Sequence, residues 1–162
     1  MRAAVLLAGL LAAGPAAAQT LDVIGPAGQH AALSAEVLAG MPHVRVPVTQ
    51  HGQTQVYEGV LLGPILAGVG AAEGQAIKGR QLATVVRVTA ADGYQVVLAL
   101  VETDPGTRSG RVIVADREAG KPLSPAEGPF RLVVEDDLRP ARSARQVETI
   151  EVLELAQAQE PQ

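Results

Sequence analysis

Residues 128–146 read GPFRLVVEDDLRPARSARQ, and the parsing of this stretch decides how the rest of the chain is read. Phe130, Leu132 and Val134 alternate with Arg131 and Val133, the period of a strand that buries one face. Three acids follow, Glu135, Asp136 and Asp137, and then three arginines at intervals of three: Arg139, Arg142 and Arg145. Guanidinium forks suit phosphate or carboxylate, because they donate two parallel charge-assisted hydrogen bonds. The opposing reading is a solvated loop in which the acids neutralise the arginines, each surface pair contributing only about 0–1 kcal/mol. The residues alone leave both readings open.

Outward from this stretch, alternation dominates, so strands do too. Leu21–Ile24 is a short first strand, followed by turn chemistry in Gly25-Pro26-Ala27-Gly28. Ser34 is placed to cap a short helix through Glu36, Val37 and Leu38 that stops at Gly40, with Pro42 beyond. Val44, Val46 and Val48 form a strand whose Pro47 has no N–H for a ladder, which predicts an edge or a bulge. His51-Gly52 turns the chain and Gln55–Val60 returns. In LLGPILAGVGAAEG, Pro64 suits a helix's first turn and Gly70 its end. Leu82–Ala90 and Tyr94–Leu100 form two strands joined by Ala91-Asp92-Gly93, a hairpin signal. Glu102–Gly110 reads as loop, and Arg111–Ala115 as a strand separated from Phe130–Val134 by a Gly- and Pro-rich link. Periodicity leaves Gln146–Leu155 open between strand and helix. The expectation is one α+β domain, mainly β, with a few short helices, over residues 19–155, and a disordered tail over 156–162.

Residues 1–18 carry Arg2, an apolar run broken by Pro15, and Ala16-Ala17-Ala18, which together predict a signal peptide cleaved before Gln19. The run is shorter than the ~20 apolar residues of a membrane span. A periplasmic or secreted protein is expected. The remaining ~144 residues suit one domain burying about two-thirds of its unfolded surface. With no cysteine, neither disulfides nor thiolate metal ligands are available, so a packed core must carry the stability. The net charge of −4 argues against a nucleic-acid partner, which needs a basic footprint. Tyr57, Tyr94 and Phe130 are the whole aromatic inventory, too few for base or sugar stacking.

Three stretches in order resemble the molybdopterin-binding domain of the sulfite oxidase family. YEGVLLGPILAGVG is similar to that family's aromatic-x-Gly-Val-x-Leu strand and short helix. ADGYQVVLAL is similar to its Asp-Gly-Tyr hairpin and apolar strand. GKPLSPAEGPFRLVVEDDLRPARSARQVETIEV is similar to its Gly-x-Pro-Leu, Arg-Leu-Val-Val and Arg-Ser-x-basic elements leading into a last strand. The resemblance covers about Leu21–Leu155 and implies the sulfite-oxidase-type fold with mixed sheets, the last segment being strand. It also implies that Arg142, Ser143 and Arg145 descend from a phosphate grip, with Arg139 beside them and Tyr94 at the pocket rim.

In the full enzymes a cysteine thiolate binds molybdenum, at a place matched here by VPVTQHG. That stretch offers Val48, Thr49, Gln50 and His51 instead, with His51 the nearest candidate to a ligand-facing donor. Molybdenum is normally held by a soft thiolate, so molybdopterin is implied by resemblance only and no cofactor or metal is expected from the residues. The resulting expectation is a non-catalytic relative that binds a small anionic ligand or a partner protein, in an envelope sensing or accessory role. The alternative is a molybdopterin-dependent oxidoreductase, or a subunit of one, with atypical metal ligation. His43 and His51 stand about 25 Å apart on an extended strand and cannot share a metal without a bend. No Gly-x-Ser-x-Gly elbow marks a hydrolase, and GVGAAEG lacks the Lys-Ser/Thr of a P-loop.

Overall fold

The computed structural model describes residues 19–50 and 52–155; the expected leader, His51 and the expected tail lie outside the described residues. In chain order the elements are β1 (Thr20–Ile24), β2 (His30–Ser34), α1 (Ala35–Ala39), β3 (Val44–Gln50), β4 (Gln53–Leu61), α2 (Leu62–Ala67), β5 (Thr84–Ala90) and β6 (Gln95–Ala99). They continue with β7 (Val112–Glu118), β8 (Lys121–Pro122), β9 (Arg131–Val134) and β10 (Val147–Glu154). Among the described residues no helix is long and apolar enough to cross a membrane.

Two five-stranded sheets result. The first has the order β2-β1-β10-β5-β6, with β1 and β10 parallel and the other pairs antiparallel. In the second, β3-β4-β7-β8, strand β9 also pairs with β7. Alternation determines the facing residues. Leu21, Val23, Val86, Val88, Ile150 and Val152 of the first sheet share one core with Val60, Val112, Val114, Leu132 and Val134 of the second. The buried residues of α2, Leu62, Ile65 and Leu66, close the same core. Burying each such side chain stabilises by about 1.5–3 kcal/mol, which replaces what disulfides would otherwise supply.

The second sheet buries its other face as well, through Val46, Tyr57, Ile113, Ala115 and Val133. Gly59 explains why the aromatic-x-Gly-Val stretch reads as it does. A Cβ there would stand 2.2 Å from the Val114 carbonyl oxygen, so only glycine lets β4 approach β7 this closely. The same crossing carries a bulge: Glu58 pairs with Arg117 and Gly59 with Ala115, leaving Asp116 as the extra residue. Its carboxylate lies 3.0 Å from His43 Nε2, while His43 Nδ1 lies 2.7 Å from the Met41 carbonyl oxygen.

Several local expectations correspond to the observed elements. Ser34 caps α1 by accepting from the Val37 N–H at 3.2 Å. β3, with Pro47, is the outer strand of its sheet. The segment after Arg145 is strand, and the hairpin at Asp92-Gly93 forms with Gly93 at φ 83°. Others differ. β2 is absent from the expected elements, because HAALS lacks apolar alternation; it forms by pairing along all of β1. β5 begins at Thr84 rather than Leu82, since Gly79–Ala83 winds into a 3₁₀ turn. β7 extends past Ala115 to Glu118 because the Asp116 bulge lets pairing continue with β4.

Candidate functional site

The site is built where the chain leaves β9, loops through residues 135–146 and re-enters as β10. Backbone bonds fold this loop back along the strand it left. Leu132 N donates to the Ala144 carbonyl at 2.8 Å, Val147 N to Phe130 O at 2.9 Å, and Gln146 N to Glu127 O at 2.9 Å. Ala91 N donates to Gln146 O at 2.9 Å, joining the hairpin to the same point. Gln146 is held at φ 49°, a conformation that costs a non-glycine residue about 1–3 kcal/mol and persists only where surrounding contacts determine it.

The arginines spaced by three do not act together. Arg142 is committed to carboxylates: Nε and Nη2 donate to the two Asp137 oxygens at 2.9 and 2.7 Å, and Nη1 to Glu102 at 2.9 Å. The Asp137 and Glu102 hydrogen bonds raise the affinity of Arg142 for its proton well above the usual guanidinium range. Burial pushes the Glu102 carboxyl up, but the Arg142 hydrogen bond, the Ala99 N–H and the Arg142 and Arg108 charges outweigh it and hold it below its ordinary value. Beside this cluster Arg111 grips Glu135 through its backbone N–H, Nε and Nη2 at 2.8, 2.7 and 2.7 Å. The Arg111 hydrogen bond is the main reason the Glu135 carboxyl is also depressed. For Arg142 the neutralising reading of the sequence therefore describes the geometry.

Arg145 and Arg139 are different. Both are exposed, and among the described residues neither has an ion-pair partner. Arg145 lies between two cavities. One, of about 360 Å³, is walled by Asp92, Tyr94, Ala126 and Gln146. The other, of about 230 Å³, is walled by Gln55, Glu127 and Arg131. Pro140, Ser143 and Arg145 line both. The buried Ser143 hydroxyl accepts from the Val134 N–H at 3.2 Å, which leaves its own proton free to donate. Tyr94 stands at the rim, but its hydroxyl proton goes to the Ala141 carbonyl at 2.7 Å, so it ties the hairpin to the loop instead of offering that proton to a ligand. Arg139 lines neither cavity, and His51 lies outside the described residues.

Arg131 is the residue that alternation misassigned, since a strand position flanked by Phe130 and Leu132 reads as solvent-facing. It is buried, with its guanidinium 4.6 Å over the Tyr57 ring and Nη1 2.6 Å from Glu127. Such stacking is worth about 2 kcal/mol where desolvated. Burial pushes the Tyr57 hydroxyl up, and the Arg131 charge partly counters this. Arg131 Nε and Glu127 Oε2 are buried without a hydrogen-bond partner. A charged residue within the apolar run FRLVV was the available signal.

The arrangement supplies a free cation, a free hydroxyl proton and a second, buried cation behind them, which is anion-binding chemistry. Among the described residues no histidine lines either cavity. Both described histidines are engaged elsewhere, His43 as given above and His30 at 3.5 Å from Asp22. Among the described residues no three His, Cys, Asp or Glu side chains gather as a metal site. The donors do not fit molybdenum: the chain has no cysteine, and on β3 the Thr49 hydroxyl is bonded to that of Thr54 at 2.8 Å.

The fold, mainly β with mixed sheets and short helices, is that of the sulfite-oxidase-type molybdopterin-binding domain. A solved structure that shares it is the sulfane dehydrogenase SoxCD from Paracoccus pantotrophus, with a TM-score of 0.61 and 16% identity. The likeness covers 85% of this chain, which spans 38% of the length of that one. No family model matches the chain. No curated protein matches it either.

Proposed function

We propose that this chain is a non-catalytic, molybdopterin-domain-like protein that binds a small anionic ligand between the two cavities that meet at Arg145. The single observation that carries the reading is the division of labour among the arginines. Arg142 spends its donors on Asp137 and Glu102, whereas Arg145, on the shared wall with Ser143, has no ion-pair partner among the described residues. The ligand's phosphate or carboxylate takes the Arg145 fork and the Ser143 proton, and its body lies against Tyr94 or over Arg131. Export to the periplasm and an accessory or sensing role in the envelope belong to the same proposal, export being supported by Arg2, the apolar run and Ala16-Ala17-Ala18.

Calorimetry with inorganic phosphate and a phosphate monoester tests it. Binding is expected in the native chain and weaker binding, by up to about fivefold, in Arg145→Ala, the loss of one exposed charge-assisted contact. Absence of binding, or identical binding by Arg145→Ala, refutes the site. Stoichiometric molybdenum in protein purified from its native host refutes the non-catalytic reading.

A further inference from the structure

The second large opening in the molecule is of opposite chemistry. A cavity of about 430 Å³ lies where α2 begins, against the segments 72–77 and 103–105, and shares no lining residue with the two cavities at Arg145. Its walls are apolar in Leu61, Pro64, Ala72, Ile77 and Pro105. The size falls within the roughly 300–1,000 Å³ of small-molecule sites. Its polar side chains are Glu73, Thr103 and Asp104. Thr103 is buried and spends its hydroxyl proton on the Leu100 carbonyl at 2.8 Å, so it faces the cavity as an acceptor. Asp104 accepts the Gly106 N–H on Oδ1 at 3.0 Å, which fixes its orientation and leaves Oδ2 open. Among the described residues neither Glu73 nor Asp104 has an ion-pair partner.

Every side chain that can hydrogen-bond into this cavity is therefore an acceptor, and two of the three are anionic. An apolar floor under such a rim selects an occupant with an apolar body and a cationic donor head. We propose that this cavity binds a small organic amine, its hydrocarbon part on Leu61, Pro64 and Ile77 and its ammonium between Asp104 and Glu73. Anions are excluded by the same two carboxylates, so the chain separates ligands of opposite charge into two places. Nothing in this inference depends on the Arg145 site.

Three compounds of near-equal shape test it: 2-phenylethylamine, its uncharged N-acetyl derivative and the anion 3-phenylpropionate. Amide shifts in a two-dimensional nitrogen–proton spectrum report where each binds. The amine is expected to move the amides of Gly63, Gly74 and Thr103 with saturation. The neutral compound is expected to bind about fivefold more weakly, one exposed charge contact, and the anion not at all. Asp104→Asn, which retains an acceptor for Gly106, and the exposed-site change Glu73→Gln should each weaken the amine a few-fold. Arg145→Ala should leave it unchanged. No movement at about 10 mM amine, a range that captures millimolar affinity, overturns the proposal. Equal binding of all three compounds, or an amine affinity indifferent to both carboxylate changes, overturns it equally.

Discussion

Replacing Arg142 by alanine and, separately, Arg145 by alanine sorts structural arginines from ligand-facing ones. Arg142 makes three charge-assisted hydrogen bonds to two carboxylates. Bonds to charged groups contribute about 1.5–3 kcal/mol each. The Arg142 side chain is 35% exposed, so solvent screens much of that sum, while Asp137, at 16%, is left a largely buried, unpaired carboxylate. A net loss of about 2–3 kcal/mol follows, equivalent to about 6–12 °C in melting temperature for a domain of this size. Among the described residues Arg145 has no ion-pair partner, so Arg145→Ala should stay within about 0.5 kcal/mol of the parent. Because the chain has no tryptophan, urea unfolding is best followed by far-ultraviolet circular dichroism. If Arg142→Ala melts like the parent and loses phosphate binding instead, the assignment of Arg142 to the Glu102–Asp137 cluster is wrong and the arginines work as one grip.

Acid should dissolve the same cluster. Glu102 and Glu135 are held below their ordinary 4.5 in the folded chain, so their contribution is complete above that value and is lost as pH falls through the depressed folded values. Urea midpoints measured from pH 6 down to pH 3 should decline in the parent (a window set by the ordinary carboxyl value), and less steeply in Arg142→Ala, whose Glu102 has lost its main partner. Gly59→Ala should destabilise by about 3 kcal/mol or more, because its methyl meets Val114 and Ala115 backbone that cannot rotate away. Soluble, fully folded Gly59→Ala with a parental midpoint would refute the close approach of β4 and β7.

What the residues disclose and what they hide follows from range. The Ser34 cap, the Asp92-Gly93 hairpin and the outer position of the Pro47 strand are decided within a few neighbours, and each is legible in the sequence itself. β2 is created by its partner β1, and HAALS alone carries no sign of it. The candidate site divides in the same way. Arg142, Ser143 and Arg145 could be singled out locally, and so could Asp137, which takes two of the three Arg142 hydrogen bonds; the third partner, Glu102, lies 40 positions earlier and is hidden from a local reading. The spacing by three is not carried by one regular element: the chain passes from a 3₁₀ turn at Pro140–Arg142 through Ser143 at φ −88° and ψ 74° to Gln146 at φ 49°. Arg131 was hidden because alternation assumes one wet face, and this sheet is buried on both.

The position of β10 has a bearing on how the chain reaches its final form. The last of the described strands, β10, lies in the middle of the first sheet, between β1 and β5. Until it arrives, the β1–β2 and β5–β6 hairpins are separate pieces with no shared ladder, and two-stranded pieces are at best marginally stable in water. The first sheet therefore comes together only when β10 stitches two hairpins, formed far apart in the sequence, into one ladder.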